Sequence, residues 1–497
     1  TNEYDLYGFQ NMLVRGALAS GSYTGTVPNM VSYFYGFTGP SYFLDTMCSA
    51  SSTCVHEAVH MLRAGRCKMA LAGGVSLLLH PQKLIATSQE HFTSKTAEKI
   101  RGYGLGADGT ILGEGVGALV LKPLADAERD GDHIYGVIIG SGISNAGVRN
   151  GVTVPNPHQQ AAAIEQALDD AAIDPATLSY VEGHGSGTAL GDPIEVKALT
   201  QAFRKYTDAK GFCPLGTVKS NVAHLLAAAG VAGITKVLAQ LRHSQIAPSL
   251  HAEVLNPNIP FEDTPFRVQR ELTPWTRPRD AAGRELPRRA GVTSIGAGGM
   301  NSHILIEEHA ASPRPDMPAG PELLLFSAMS EAALIRLLSR LRDHVAAHPD
   351  LVLADLAYTL QTGRNELPCR LALVADDIAR VPALLAAFLS SPRPDPRWHF
   401  VRSILEVEPP ADAARLRQDI GTRALDRIGA AWAAGASIDW DALHEGRQPR
   451  RLSLPAYPFE RVRCWYPEFA DAPSVVNPLG SALKLHPFIG VNRSGLE

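Results

Sequence analysis

Short apolar runs alternate with longer helical patterns along residues 1–308, and this alternation most constrains the fold of the chain. The strand-like runs, each bounded by turn residues, are GALVLK (117–122), IYGVIIG (134–140) and LSYVEG (178–183). The helical stretches around them are residues 54–65, 158–172 and 191–206. Alternation of this kind is typical of layered α/β folds, in which helices cover the faces of a buried sheet.

A second, smaller α/β unit follows a proline-rich break. Residues 309–322 are rich in proline and polar side chains, which predicts a linker. Strand-like runs then occupy 323–329 and 370–376, and helical stretches occupy 330–347, 353–362, 379–389 and 412–434. We therefore expect a separate small α/β subdomain after the linker.

Composition excludes several classes of function. The 497 residues, of which 45% are hydrophobic, are enough for two or more cores. The net charge is −4 and the basic residues are dispersed, so the chain offers no footprint for nucleic acid. No apolar run approaches the roughly 20 residues of a membrane helix, and the first residues do not resemble a signal peptide. We expect a cytoplasmic protein without nucleic-acid or membrane partners.

One cysteine stands in an unusual setting. Cys48 lies in DTMCSASSTCVHEA (45–58), between a strand-like segment and the start of a helix. A helix N-terminus favours a thiolate, so the position predicts a nucleophile with a lowered pKa. The alternative is a small buried hydrophobe, which better describes Cys54 inside the helix. The six cysteines form no C-x-x-C pair, so neither a metal site nor a disulfide framework is expected.

Two histidines also lie outside the usual core setting. His184 in VEGHGSGTALGDPIE and His224 in GTVKSNVAHLLAAAGVAG each follow a strand-like run and enter a turn of small residues. Imidazole can donate a proton or a hydrogen bond near neutral pH, which favours acyl-transfer or carbon-acid chemistry. A chain with 17 histidines could also offer this pattern by chance. The glycine-rich run SIGAGGMNSH (294–303) would supply oxyanion donors or form a tight turn between strands.

Four segments taken together resemble the ketosynthases, condensing enzymes of the thiolase-like superfamily. They are DTMCSAS, EGHGSGTALGDPIE, VKSNVAHLLAAAGVAG and GVTSIGAGGMNSHILIEE, and they occur in the family's order and spacing within residues 1–308. The resemblance implies a thiolase-like layered αβαβα fold. It also implies a β-ketoacyl synthase that extends an acyl chain by decarboxylative condensation with a malonyl unit.

The resemblance assigns roles to the matched catalytic residues. Cys48 would accept the acyl chain, while His184 and His224 would polarise the malonyl thioester and promote loss of carbon dioxide. Lys219 would steady the two histidines. Two carbonyl oxygens gain charge in this chemistry, so two sets of hydrogen-bond donors are needed, and no metal is required.

Further matched residues would bind the substrate. The backbone N–H of Cys48 and one near Gly298 would form an oxyanion hole. Ser186 and Thr188 would contact the phosphopantetheine arm of an acyl carrier protein, and no cofactor would be bound directly. A homodimer is implied as well.

The sequence departs from the family at several positions. Ala223 precedes His224 where the family commonly has glycine, and the acidic residue that often follows the histidine is missing from Leu225-Leu226. Gly102-Tyr103-Gly104 replaces the usual Pro-Phe-Asp, and Ala297 replaces a common aromatic residue. Only 47 residues precede Cys48, so we expect the N-terminal part of the ketosynthase to be truncated or supplied elsewhere.

The residues after the linker indicate which class of ketosynthase the chain resembles. Residues 323–450 resemble the flanking α/β subdomain of modular polyketide synthases, and 451–467 resemble the strap that returns to the ketosynthase. No G-x-S-x-G serine elbow occurs after residue 310, so no acyltransferase lies between them. This order is typical of assembly lines served by a separate, trans-acting acyltransferase.

The C-terminal residues predict a further domain, and more than one function of the chain stays open. Residues 468–497 would be a linker and the start of a dehydratase-like or branching domain, on a short resemblance at His486-Pro487-Phe488. Two rival functions stay open: a non-elongating or branching ketosynthase, and an inert scaffold or docking region. Presence of His184 favours elongation. A thiolase is disfavoured because Gly298-Gly299-Met300 stand where its second cysteine would be.

Overall fold

A computed structural model describes residues 3–8, 23–280, 282–310, 320–393, 395–404 and 412–463. The expected dehydratase-like start within 468–497 and much of the linker at 309–322 lie outside these residues. In the described ranges, no helix combines the length and the apolar character needed to cross a membrane.

The described strands and helices are named here in chain order. The strands are β1 Ala70–Ser76, β2 Gly115–Leu121, β3 Val137–Asn145, β4 Tyr180–Glu182, β5 Cys213–Gly216, β6 Gln245–Ile246, β7 Phe266–Val268, β8 Thr273–Pro274, β9 Arg289–Ile295, β10 Met300–Glu307, β11 Glu322–Ala328, β12 Cys369–Ala375 and β13 Trp398–Val401. The helices are α1 (3–8), α2 Thr26–Tyr35, α3 Ala50–Arg63, α4 Pro81–Gln89, α5 Leu124–Arg129, α6 Pro157–Ala171, α7 Gly191–Phe203, α8 Lys219–Val222, α9 Ala229–His243, α10 Glu331–Ala347, α11 Leu353–Thr362, α12 Val381–Ser390, α13 Ala413–Gly421, α14 Leu425–Ala433 and α15 Trp440–Leu443.

A six-stranded mixed sheet is the centre of the first unit. Its strand order is β3-β10-β9-β4-β5-β7, with β10 antiparallel to both neighbours and β9, β4, β5 and β7 parallel. The glycine-rich run forms the turn between β9 and β10, which pair from Asn301 with Ile295 to Glu307 with Arg289. The parallel strands are buried on both faces, and their carboxyl ends carry the loops after β4 and β5.

Helices and a second sheet complete the layers. α3 and α9 lie between the six-stranded sheet and the antiparallel β1-β2 pair, where Val55, Ile234 and Ile304 share one apolar core with Ala72 of β1. α6 and α7 cover the opposite face through a second core that includes Leu199. The layered α/β architecture predicted from the sequence is confirmed.

The second unit is built on an antiparallel three-stranded sheet, β11-β12-β13. α10, α11 and α12 cover one face around Leu338 and Phe388, and α13 and α14 cover the other around Trp432. The single helical stretch expected at 412–434 is divided into α13 and α14. Arg423 has a φ of 51° between them, so the chain turns there instead of continuing as a helix.

Residues 451–463, the described part of the strap predicted at 451–467, are extended and contact both units. The Arg451 guanidinium bonds to Asp132 at 2.7 Å in the first unit, while the Leu452 N–H donates to Thr359 in α11 at 2.9 Å. The ring of Phe459 in the strap packs on Tyr457 but is 80% exposed.

Candidate active site

Cys48 lies in a tight turn that leads directly into a helix. Met47–Ser49 form one turn of 3-10 helix, and α3 begins at Ala50. The Met47 N–H donates to the Asp45 carboxylate at 2.7 Å, and Met47 has a φ of 59°, so the turn is tightly held. The backbone N–H groups of Cys48 and Ala297 both act to lower the pKa of the Cys48 thiol. Ala297 immediately precedes Gly298, the residue near which the second oxyanion donor is predicted.

The thiol of Cys48 is not a resting thiolate. Burial raises its pKa above the usual value, although the charge of Lys219 and the two N–H groups act in the opposite direction. The sequence-based expectation of a lowered pKa is therefore wrong. Loss of hydration around the sulfur outweighs the favourable helix start. The proton of Cys48 must consequently leave during the reaction itself.

His184 is held at three points in the loop after β4. Its N–H donates to Glu195 at 2.5 Å, and its carbonyl accepts from the Lys219 ammonium at 2.5 Å. Its ring Nδ1 accepts from the backbone N–H of Ile295 at 3.3 Å. Because Nδ1 acts as an acceptor, the proton of the neutral ring resides on Nε2.

His224 is held in a matching way from a different loop. Its N–H donates to the carbonyl of Ile111 at 2.8 Å, and its carbonyl accepts from the Gly113 N–H at 2.9 Å. Its Nδ1 accepts from the Leu226 N–H at 3.1 Å, so this ring also carries its proton on Nε2. Ala223 immediately before it adopts φ 65° and ψ −175°, a conformation that suits glycine far better.

The two rings meet edge to face and remain neutral. Their centroids are 5.3 Å apart at an interplanar angle of 84°. Burial holds the pKa of both His184 and His224 well below the usual value, and the nearby Lys219 charge adds to the effect. At neutral pH both rings are therefore uncharged, and each retains an Nε2–H donor.

Lys219 contacts His184, and its charge acts on both His224 and Cys48. It is buried at the start of α8, 3.4 Å from His184 Nδ1, and its charge acts on the Cys48 thiol. Burial lowers the pKa of Lys219, whereas the charge of Glu195 is the largest opposing influence. The four predicted catalytic residues therefore share one site.

Two buried carboxylates beneath the His184 loop were given no role from the sequence. Asp192 and Glu195 lie in the first turns of α7. Glu195 accepts the N–H groups of His184 and Gly185, and Asp192 accepts that of Gly187 at 3.1 Å. Burial raises the pKa of Asp192 to about 7 and also raises the pKa of Glu195. The signal was the Asp-Pro-Ile-Glu spacing, which brings both carboxylates near the same loop.

The expected carrier-contacting hydroxyls lie farther along the same loop. Ser186 and Thr188 hydrogen-bond to each other at 3.1 Å, and the Thr188 hydroxyl accepts the Gly191 N–H at 3.2 Å. Gly185 and Gly187 have φ of 41° and 72°, which lets this short loop fold tightly around the carboxylates.

In the part of the chain that the structure describes, no three His, Cys, Asp or Glu side chains are grouped so that they could bind a metal ion.

Family models match most of the first unit and part of the second. Residues 2–127 match the model "Beta-ketoacyl synthase, N-terminal domain", and residues 135–253 match "Beta-ketoacyl synthase, C-terminal domain". Residues 325–391 match "RhiE-like, KS-MAT linker domain". The layered fold and the site therefore define a condensing enzyme of the β-ketoacyl synthase class.

Relatives and solved structures specify the family. Polyketide synthase PksL of Bacillus subtilis is 44% identical over 93% of this chain, and ThaG of Burkholderia thailandensis is 43% identical over 99%. The chain spans about a tenth of each, 10% and 9%. The ketosynthase from module 6 of the Bacillus subtilis bacillaene synthase is 37% identical with a TM-score of 0.84, covering 94% of this chain and 81% of that one. The Streptomyces albus oxazolomycin ketosynthase domain OzmH KS7 has the same identity and TM-score, covering 94% and 78%.

This chain belongs to the ketosynthase family of polyketide synthases, and the thiolase-like fold implied by the sequence is confirmed.

Proposed function

We propose that this chain is an elongating ketosynthase in which Cys48 carries the acyl chain and His184 and His224 drive decarboxylation. The observation that carries the proposal is the pair of neutral imidazoles. Each has its Nδ1 occupied by a backbone N–H, so each must present Nε2–H. Two such donors suit an oxygen that becomes negative, and neither ring is suited to act as a cation.

The first half-reaction transfers the acyl group. The Cys48 sulfur attacks the thioester of an acyl group on the phosphopantetheine arm of an acyl carrier protein. A sulfur–carbon bond to Cys48 forms, the bond to the carrier thiol breaks, and the Cys48 proton passes to the departing thiolate. The N–H groups of Cys48 and Ala297 stabilise the tetrahedral oxyanion between these events.

The second half-reaction forms the carbon–carbon bond. The malonyl carboxylate leaves as carbon dioxide, and its electron pair becomes an enolate whose oxygen accepts from the Nε2–H groups of His184 and His224. The enolate carbon attacks the acyl carbonyl on Cys48, the carbon–sulfur bond breaks, and the released thiolate takes a proton from solvent water. Lys219 positions His184 and places a positive charge near the departing thiolate. Ser186 and Thr188 are proposed to contact the carrier arm.

Separate measurement of the two half-reactions tests these assignments. Cys48→Ala is expected to abolish acyl loading, observed by intact mass, whereas Cys54→Ala within α3 leaves loading intact. His184→Ala and His224→Ala are expected to reduce malonyl decarboxylation by roughly 100-fold or more, with a much smaller effect on loading. Equal loss of both activities would instead assign the histidines to thiol activation or to the fold. Decarboxylation without condensation would indicate a non-elongating domain, and neither activity would indicate a scaffold.

We also propose that the extender unit comes from a separate acyltransferase. The support is the absence of any G-x-S-x-G after residue 310 and the short interval between the linker match, which ends at 391, and the strap. The full chain is expected not to malonylate a carrier protein when given malonyl-coenzyme A, unless an acyltransferase is added. Malonylation by the chain alone would overturn this part of the proposal.

The domain arrangement, the oligomeric state and the cellular location are also proposed. We propose a cytoplasmic homodimer in which 1–308 is the ketosynthase, 323–450 the flanking subdomain and 451–467 the strap, with a dehydratase-like or branching domain after 468. The exposed aromatic side chains of α2 and the loop after it support a second copy as the partner of that surface.

A further inference from the structure

Tyr103 occupies the fully buried position where the family commonly has phenylalanine. Its N–H donates to Asp192 at 2.8 Å, and its hydroxyl donates to Glu195 at 3.0 Å. Its carbonyl accepts the Asn256 N–H at 2.9 Å, and its φ is 63°. Both donors of one residue therefore reach the two carboxylates that support the His184 loop.

The hydroxyl of Tyr103 completes the hydrogen bonding of Glu195. The other donors to that carboxylate are the N–H groups of His184 at 2.5 Å and Gly185 at 2.9 Å. Phenylalanine at position 103 would leave Glu195 with only these two. A buried carboxylate that loses a donor binds a proton more readily, and a protonated carboxyl group accepts less strongly.

The loop itself has space for the Tyr103 hydroxyl only because of Gly183. A Cβ added at Gly183 would collide with the Tyr103 hydroxyl oxygen, and it would also lie 3.1 Å from Glu195 Oε1. The residue directly before His184 is thus fitted to the phenol. This is a second observation, independent of the hydrogen bond, that links Tyr103 with the histidine loop.

We propose that Tyr103 is a positioning residue that keeps Glu195 ionised and so holds His184 in place for decarboxylation. The inference rests on the proposed function of His184. The phenol acts through Glu195 and does not touch the substrate. Its function is to extend the pH range in which the His184 loop is held, toward lower pH.

The groups around Glu195 set the direction of the expected pH effect. Lys219, Asp192, His184 and Tyr103 all act on or contact it. Burial raises the pKa of Glu195, and the Tyr103 hydrogen bond is one of the influences that lower it. Burial also keeps the pKa of Tyr103 well above its usual value, so the phenol stays a donor. Without the hydroxyl, activity that requires ionised Glu195 is lost at a higher pH as pH falls.

Tyr103→Phe in the full chain tests the proposal with malonyl-carrier decarboxylation as the assay. The ratio of variant rate to wild-type rate is expected to be roughly tenfold lower at the acid end of the wild-type pH profile than at its optimum. Loading of Cys48 from a small acyl thioester should change by less than roughly twofold. A ratio that does not vary with pH would overturn the proposal, because a purely structural hydroxyl would lower the rate equally at both.

Tyr180→Phe is the matched control. Tyr180 is also a buried phenol that donates to a buried carboxylate, Glu182, at 2.6 Å. Glu182 also forms an ion pair with Lys236 at 2.7 Å and accepts the Val218 N–H at 2.5 Å, so it keeps a charged partner when the Tyr180 hydroxyl is removed. The rate ratio of Tyr180→Phe is therefore expected to be constant with pH.

A double variant covers the case in which Tyr103→Phe alone does not fold. Gly183→Ala with Tyr103→Phe places a methyl group where the hydroxyl oxygen was and refills the space. It should show the same tenfold fall in rate ratio, and recovery of the wild-type ratio would overturn the proposal. Absence of decarboxylation in the wild-type protein would instead contradict the proposed function, so the two failures are distinguishable.

Discussion

The interior beneath His184 and the surface around α2 both reverse the usual distribution of side chains. Asp192, Glu195 and Lys219 are ionisable groups with 1%, 2% and 5% exposure, whereas Tyr33 and Phe34 on α2 are 85% and 77% exposed. Buried charge is costly unless it is paired and hydrogen-bonded, and exposed aromatic clusters mark interaction surfaces.

The difference lies in how each region is completed. The carboxylates beneath His184 are satisfied by N–H groups, a phenol and a nearby ammonium from this same chain. α2 has no buried residue, although its rings contact one another, as Phe34 and Tyr35 do at 5.0 Å. The buried charges are therefore satisfied within the chain, whereas the α2 surface is the one for which we propose a second copy of the chain as the partner.

Removal of one interior carboxylate should have the largest effect on stability. Glu195→Ala leaves the N–H groups of His184 and Gly185 without their acceptor, and Lys219 loses the largest source of its charge compensation. We expect the free energy of unfolding to fall by about 3–5 kcal/mol, measured by urea denaturation. Glu165→Ala, which breaks the surface ion pair with Lys205, is the control and should cost less than about 1 kcal/mol. Equal losses would contradict the comparison.

Change of the exposed surface should alter association and leave the fold intact. Phe34→Ser is expected to weaken self-association by roughly tenfold or more, measured by sedimentation equilibrium, with little change in unfolding free energy per chain. Phe459→Ser removes an equally exposed ring from the strap and should not affect association. A destabilised chain with unchanged association would assign Phe34 to intramolecular packing.

Alkylation of Cys48 should report the raised pKa of its thiol. Because the thiolate forms only as pH rises through this raised pKa, the rate of iodoacetamide labelling should still be increasing at about pH 9. The labelling rate of free cysteine, measured in parallel, should reach its plateau at a lower pH. Peptide mapping separates Cys48 from Cys54, and a plateau for Cys48 near neutral pH would contradict the assignment.

The smallest effect is expected at the strained residue before His224. Ala223→Gly relieves an unfavourable φ and ψ at the cost of a more flexible unfolded chain, so unfolding free energy should rise by about 1 kcal/mol. Ala172→Gly, at the left-handed C-terminal end of α6 and away from the site, is the control. Its unfolding free energy should rise by no more than that of Ala223→Gly. Destabilisation by Ala223→Gly would show that the alanine methyl group packs favourably.

The sequence predicted elements whose evidence is local. The helix expected at 158–172 is α6, and the glycine-rich run is the turn between β9 and β10. The strand expected at 134–140 is β3, Val137–Asn145, which continues into polar residues because β10 pairs with it as far as Asn145. Such pairing joins segments more than 150 residues apart and leaves no local pattern.

The candidate site residues could be singled out from the sequence, whereas their protonation states could not. Small neighbours and position singled out Cys48, His184 and His224 as candidates, and the resemblance to the ketosynthases assigned their roles. The pKa of Cys48 depends on burial, and the ring protons depend on the N–H groups of Ile295 and Leu226. These contacts arise only after folding, and the same holds for the hydrogen bonds of Glu195.

One measurement tests the central claim most directly. The full chain, acylated on Cys48, is mixed with a carrier protein that already holds a malonyl group, and the carrier is weighed intact. We expect the carrier to gain the acyl group and lose carbon dioxide, giving a β-ketoacyl carrier, and we expect His184→Ala and His224→Ala to give no such product. Wild-type protein that keeps its acyl group while the carrier stays malonylated would contradict the account, as would full condensation by both histidine variants.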